Sequence, residues 1–178
     1  MLKIIGAVAA LIAAAIVIVA IYAATKPDSF TVRRTIAIKA PPEKIFSTIT
    51  DLRSWAAWSP YEKKDPAMKR TFSGAPSGKG AIYEWDGNSQ VGQGRMEILE
   101  TAPSNKVVIK LDFIRPFEGH NTAEFALAPQ GDTTTVTWSM YGPARYITKV
   151  MSTLFDLDKM IGNDFEAGLV NLKTAAEK

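Results

Sequence analysis

Two hydrophobic rhythms run along the chain, and they change near Phe30. From Ile4 to Ala24 the apolar residues are continuous and uncharged, IIGAVAALIAAAIVIVAIYAA. A helix apolar on every side has no solvent face and needs lipid or a large core around it. At about 1.5 Å per residue the run spans roughly 32 Å, close to the hydrocarbon thickness of a bilayer. Lys3 and Lys26 flank it, where they can snorkel to headgroups, and Tyr22 sits near one interface. The apolar core of a cleaved signal peptide is shorter, usually about 7–15 residues, and cleavage after Ala24 would leave bulky Tyr22 where a small residue is wanted. The run is therefore expected to be an uncleaved single-pass anchor. Lys3 alone precedes it, and Lys26, Arg33, Arg34 and Lys39 follow. Counted literally, that places the domain in the cytoplasm, but the last three fall in a predicted strand, so the side stays open. Lys26-Pro27-Asp28-Ser29 ends the helix, dividing the chain into an anchor with linker, residues 1–28, and a domain, residues 29–178.

Beyond the linker the period shortens to two. Phe30, Val32, Ile36 and Ile38 alternate with Thr31, Arg33, Ala37 and Lys39, the pattern of a half-buried strand. Pro41-Pro42-Glu43 opens a helix, since proline suits its first turn and glutamate its dipole, and Ile45, Phe46, Ile49 and Leu52 share a face. Trp55, Trp58 and Pro60 end that segment, and Gly74 to Gly80 is rich in turn residues. Strand patterns follow: Ala81-Tyr83-Trp85, Val91 to Glu100, Val107-Ile109-Leu111-Phe113, Ala123-Phe125-Leu127, and Val136-Trp138-Met140. Gly87-Asn88 is a hairpin signal. After Gly142-Pro143 the spacing of Ile147, Met151, Leu154, Asp158, Ile161, Phe165, Leu169 and Leu172 predicts a long helix, with Gly162 as a break or a point of close packing. Strand, helix, a meander of about five strands and a C-terminal helix give an α+β domain, its antiparallel sheet covered on one face. A sheet curved around one helix can leave a hollow, the usual form of a small-molecule site.

Composition narrows the chemistry. Cysteine is absent, which excludes disulfides, thiolate metal sites and cysteine nucleophiles. The one histidine, His120, excludes multi-histidine metal sites. The net charge of +3 comes from scattered basic residues without the clustering that nucleic acid requires, so no nucleic-acid partner is expected. No metal or other cofactor is implied. Gly92-Gln93-Gly94 lacks the lysine and the strand-to-helix setting of a phosphate loop and reads as a bulge or bend.

The order of elements, with several motifs, resembles the helix-grip superfamily, called SRPBCC or START-like, which includes polyketide cyclases/dehydrases and the birch pollen allergen. The matching stretches are Ile36 to Phe46, Asp51 to Pro60, Trp85 to Asn88 with Val91 to Gly94, Thr135 to Met140, and Gly162 to Leu169 ahead of Leu172-Lys173. The resemblance covers Phe30 to Glu177 and implies a curved sheet gripping its terminal helix around an apolar ligand. A single membrane helix before the domain is similar to the arrangement in some bacterial members, which implies the bacterial inner membrane.

Candidate cavity residues are Tyr83, Trp85, Arg95, Glu97, Phe113, Phe125, Trp138, Asp158, Ile161 and Phe165. The tryptophans could supply flat apolar walls, although Trp55 and Trp58, near a helix end, are expected to be packing residues. Arg95 and Glu97 share a face opposite Met96 and Ile98, and either face could be the inner one; a charge pair inside would be costly unless partnered. Lys110 and Asp112 oppose an apolar face and should see solvent, and Glu124 belongs to the same class of strand polar residues. His120 is the obvious general-base candidate, but no serine or acid stands at an identifying spacing, so an exposed loop histidine is expected. Asp158 lies on the apolar stripe of the last helix, where it could reach into the cavity or pair with Arg95. If that helix starts near Asp156, one of the two aspartates caps it instead, the preferred reading. The expected function is to bind a hydrophobic small molecule or lipid. A cyclase- or dehydratase-like enzyme and a chaperone-coactivator-like interaction module are the alternatives.

Overall fold

The computed structural model describes residues 1–178, the side chain of Leu2 excepted. The apolar run forms helix α1, Leu2–Ala24. The domain begins with strand β1, Ser29–Ile38, and helix α2, Pro42–Thr50, which has proline in its first turn. A 3-10 turn at Leu52–Ser54 leads into two short helices, α3 (Trp55–Trp58) and α4 (Pro60–Lys64). Six strands follow: β2 (Lys69–Gly74), β3 (Ala81–Asp86), β4 (Gln93–Ala102), β5 (Lys106–Arg115), β6 (Gly119–Gln130) and β7 (Thr133–Pro143). They form one seven-stranded antiparallel sheet of order β1-β7-β6-β5-β4-β3-β2. β2 goes beyond the sequence pattern: it is an edge strand whose main apolar contribution is the half-buried Phe72, too little alternation to be read.

The predicted long C-terminal helix is two helices, α5 (Tyr146–Leu154) and α6 (Leu157–Ala176). The break falls at Phe155-Asp156, not at Gly162. There Phe155 is extended and the Asp156 carboxylate accepts a hydrogen bond from the Lys159 amide at 2.9 Å, starting α6 afresh. Gly162 is instead a packing slot: the Arg34 guanidinium occupies the place of its missing side chain. Arg34 bonds Glu166 at 2.7 Å and Asp158 at 3.0 Å, one turn to either side of Gly162. Asp158 is thus on the exposed side of α6, tied to β1 rather than aimed inward or paired with Arg95.

The inner face of the sheet is filled at one end. Ile38, Val107, Leu127 and Val136 meet Ile45 and Ile49 of α2, all essentially buried. Beside them Trp55, Trp58, Phe125 and Trp138 form an aromatic cluster with ring centroids 4.7–6.3 Å apart. Phe165 of α6 stacks on Trp138 at 4.0 Å. Phe125 is therefore a core residue, not a cavity wall.

Candidate functional site

At the other end of the sheet the inner face is not filled. The strand register places Phe30 near the start of β1, opposite Gly142, and brings Phe113 opposite Gly119 and Ala123 opposite Met140, all toward that end. Two of the inward positions there carry little bulk, Gly119 and Ala123 on β6, while the Asn121 side chain takes up the room left by Gly142 on β7. The break before Asp156 also directs α5 away from the sheet, and none of its residues is buried. Small strand residues and a displaced helix leave a cavity of about 700 Å³, within the range of roughly 300–1,000 Å³ common for small-molecule sites.

Tyr83, Trp85, Phe113, Trp138, Ile161 and Phe165 all line this cavity, as do Trp55, Met96 and Leu111. Trp85 lies across Gly94 on the neighbouring strand, where a side chain would collide with its ring, and its indole N–H donates to the Val91 carbonyl at 3.0 Å. The sheet has a register shift at Gln93/Gly94, the bend expected from those glycines. Trp55 and Trp58 are buried packing residues, and Trp55 also reaches the cavity wall.

Four candidates lie elsewhere. Met96 and Ile98 take the inner face of β4, so Arg95 and Glu97 point outward and pair with each other at 2.8 Å. That alternation moves both away from the cavity, as the filled aromatic cluster does Phe125 and the tie to Arg34 does Asp158. Lys110 and Asp112 also take the outer side of the sheet, 2.9 Å apart, although Asp112 is largely covered.

Two features of the site were not read from sequence. The first is Glu62, in the first turn of α4 and buried in the cavity wall. One of its carboxylate oxygens accepts from the Tyr83 hydroxyl at 2.7 Å and the other from Arg70 Nε at 2.7 Å, while Arg70 also donates to the Met68 carbonyl at 2.7 Å. Burial first, and the adjacent Glu62 carboxylate second, push the Tyr83 hydroxyl far above its ordinary range, so it stays a neutral donor. A glutamate in a five-residue helix between prolines has no pattern that marks it; only the fold brings β2 and β3 to it. Tyr83→Phe is expected to cost about 1–3 kcal/mol, because it leaves a buried carboxylate oxygen without its donor. Urea unfolding of the full chain in detergent measures this.

The second feature is a charged cluster at the mouth. His120 Nδ1 lies 2.7 Å from Asp112 and Nε2 lies 3.1 Å from Glu118. Carboxylates only accept, so the doubly protonated ring satisfies both contacts. The bonds to Asp112 and then Glu118 raise the His120 pKa. Burial alone would raise the Asp112 carboxyl, but hydrogen bonds from His120 and Lys110 outweigh it and hold the group below its usual range. Arg145 and then His120 lower that of Glu118. His120 is thus half-exposed, as expected, but held by acids that sequence spacing did not identify. Because its folded pKa is raised, the tie is fully present below the unfolded value near 6.5 and is lost as pH rises through the folded value. Amide hydrogen exchange at residues 117–121, corrected for its intrinsic pH dependence, should become less protected across that window, and a flat profile would count against the charged ring.

The mouth is marked by the exposed lining residues Phe117, Glu118, His120, Arg145, Ile147 and Met160. It opens between the β5–β6 hairpin and α5. Among the described residues no group of three or more histidine, cysteine or acidic side chains could hold a metal.

Several solved structures share the fold. Protein CV1439 from Chromobacterium violaceum aligns with a TM-score of 0.59 at 15% identity, over 86% of this chain and 99% of its own. The Aha1 dimer from Colwellia psychrerythraea aligns with a TM-score of 0.59 at 19% identity, over 83% and 96%. The di-domain ARO/CYC protein StfQ of the steffimycin biosynthetic pathway aligns with a TM-score of 0.60 at 10% identity, over 84% of this chain and 51% of its own. Comparison with curated protein sequences finds no match. Residues 29–177, the whole of the sheet, α5 and α6, match the family described as polyketide cyclase / dehydrase and lipid transport, and the chain belongs to that family.

Proposed function

We propose that this domain binds a hydrophobic small molecule or lipid in the cavity between its sheet and α6, held at a membrane by α1. The observation that carries the reading is the division of the inner face: aromatic packing fills one half, and glycine, alanine and a displaced helix leave the other half empty and walled mainly by apolar side chains. A concave, mainly apolar space of this size leaves apolar wall in contact with water, and an apolar ligand that covers the wall gains the free energy of that burial. The family description, which includes lipid transport as well as cyclase and dehydrase activity, supports the same class of ligand. α1 is long and apolar enough to cross a bilayer, and nearly all of it is exposed in the folded chain.

Binding is favoured over catalysis because the charged side chains in the wall and at the mouth are already paired. Both Glu62 oxygens hold protein donors, and Lys64 and Asp164 pair with each other at 2.6 Å. The outer face of the sheet carries charged pairs such as Arg95–Glu97 and Lys110–Asp112, which does not suit an apolar protein-docking surface.

Photolabelling tests this reading. Membranes containing the full chain are loaded with a fatty acid bearing a diazirine on its alkyl chain, irradiated, and the adducts mapped by peptide mass spectrometry. Adducts on cavity residues such as Leu111, Phe113 and Met160 are expected. Adducts confined to residues 4–24 would overturn the binding reading.

A further inference from the structure

The cavity mouth and the anchor lie at the same end of the domain. Ser29, which follows the linker, pairs with Pro143, and the register carries that end of the sheet across to Gly119 and Phe113. The β5–β6 hairpin tip, residues 114–118, projects beyond it, with Ile114 and Phe117 more than half exposed. Arg145 donates to the Glu118 carbonyl at 3.3 Å, holding the tip beside the start of α5.

α5 in turn packs against α1. The Tyr146 hydroxyl donates to the Ala20 carbonyl at 3.0 Å, and Lys149 pairs with Asp28 at 2.6 Å. Ala20 lies four residues before the end of α1, which is about 6 Å at 1.5 Å per residue. A membrane that contains α1 therefore places Tyr146 at headgroup depth, where tyrosine is favoured. Ile147 and Phe117, both exposed, stand on the two sides of the mouth.

We propose that the β5–β6 tip and the first turn of α5 enter the headgroup region of the bilayer that holds α1, so that the mouth between them opens onto lipid. The partner of this apolar rim is the bilayer surface itself, and ligand passes between membrane and chamber without crossing bulk water. Continuity with α1 identifies the occupant, because the rim is joined to the end of that helix by a hydrogen bond, an ion pair and helix packing. The inference rests on the reading of α1 as an anchor.

The chain has no cysteine, so single labels can be placed freely. The full chain is reconstituted in phosphatidylcholine nanodiscs containing lipids that carry a spin label near the headgroup or deep in the acyl chain. A fluorophore is attached in turn to Ile114→Cys, Phe117→Cys, Leu99→Cys at the distant end of β4, and Ile12→Cys in the middle of α1. Shallow spin labels should quench positions 114 and 117 at least about threefold more than position 99, as burial of about 5–10 Å into the boundary requires. Deep spin labels should quench position 12. Quenching at 12 with positions 114 and 117 behaving like 99 overturns the membrane-facing mouth and leaves the anchor standing. Absence of quenching at 12 defeats the anchor, and the inference with it.

Discussion

Ala123→Trp is expected to reduce photolabelling of the cavity by at least about tenfold, a loss of 1.4 kcal/mol or more in binding. Ala123 is 5% exposed, points inward from β6 and lies in the cavity wall between Ile109 and Met140. An indole placed there enters empty space rather than packed side chains, so it excludes ligand directly. Overpacking a filled core costs about 1–3 kcal/mol, and the hollow should keep the penalty at the low end of that range. Labelling should persist on residues 4–24, which serve as an internal control. Undiminished cavity labelling in a folded variant would mean that the ligand sits elsewhere.

Trp58→Ala is expected to have the larger effect on stability, about 3–5 kcal/mol. Trp58 is fully buried and packs within the cluster formed with Trp55, Phe125 and Trp138. Its indole N–H has no acceptor among the described residues, so what the substitution removes is packing rather than hydrogen bonding. The filled half of the sheet packs α3 against β6 and β7, and removing the indole leaves a large void among the rigid rings of Trp55, Phe125 and Trp138. Urea unfolding of the full chain in detergent, followed by near-ultraviolet circular dichroism, reads the change. A loss below about 1 kcal/mol would show that this region relaxes readily and would weaken the distinction between a packed half and a hollow half.

That distinction was only half legible in the sequence. Two-residue periods gave the strands from Ala81 onward, and their order predicted an antiparallel sheet against a terminal helix, as observed. β2 escaped because an edge strand needs few inward apolar residues. The break between α5 and α6 was legible only through the aspartates. Met151, Leu154 and Ile161 keep helical spacing straight through Phe155-Asp156 and suggest one long helix, whereas the reading of Asp156 or Asp158 as a cap on a helix starting there is the one the structure bears out, with Asp156 as the cap. Periodicity reports which residues share a face but not whether that face meets another. Phe113 and Phe125 have the same pattern, yet one faces the cavity and the other the core. The outward turn of Arg95 and Glu97 depended on parity within one strand, where Gly92, Gln93 and Gly94 blur the alternation. Glu62, Arg70 and Tyr83 come together only through tertiary structure, and Asp112 and His120 only through the β5–β6 register.

Native mass spectrometry of the full chain, released gently from detergent micelles, tests the central claim most directly. A chamber that binds an apolar molecule predicts one discrete adduct per chain, retained when loosely bound lipid is stripped and absent from Ala123→Trp. A chain that flies bare after stripping, or carries the same adducts with and without the blocking indole, would contradict it.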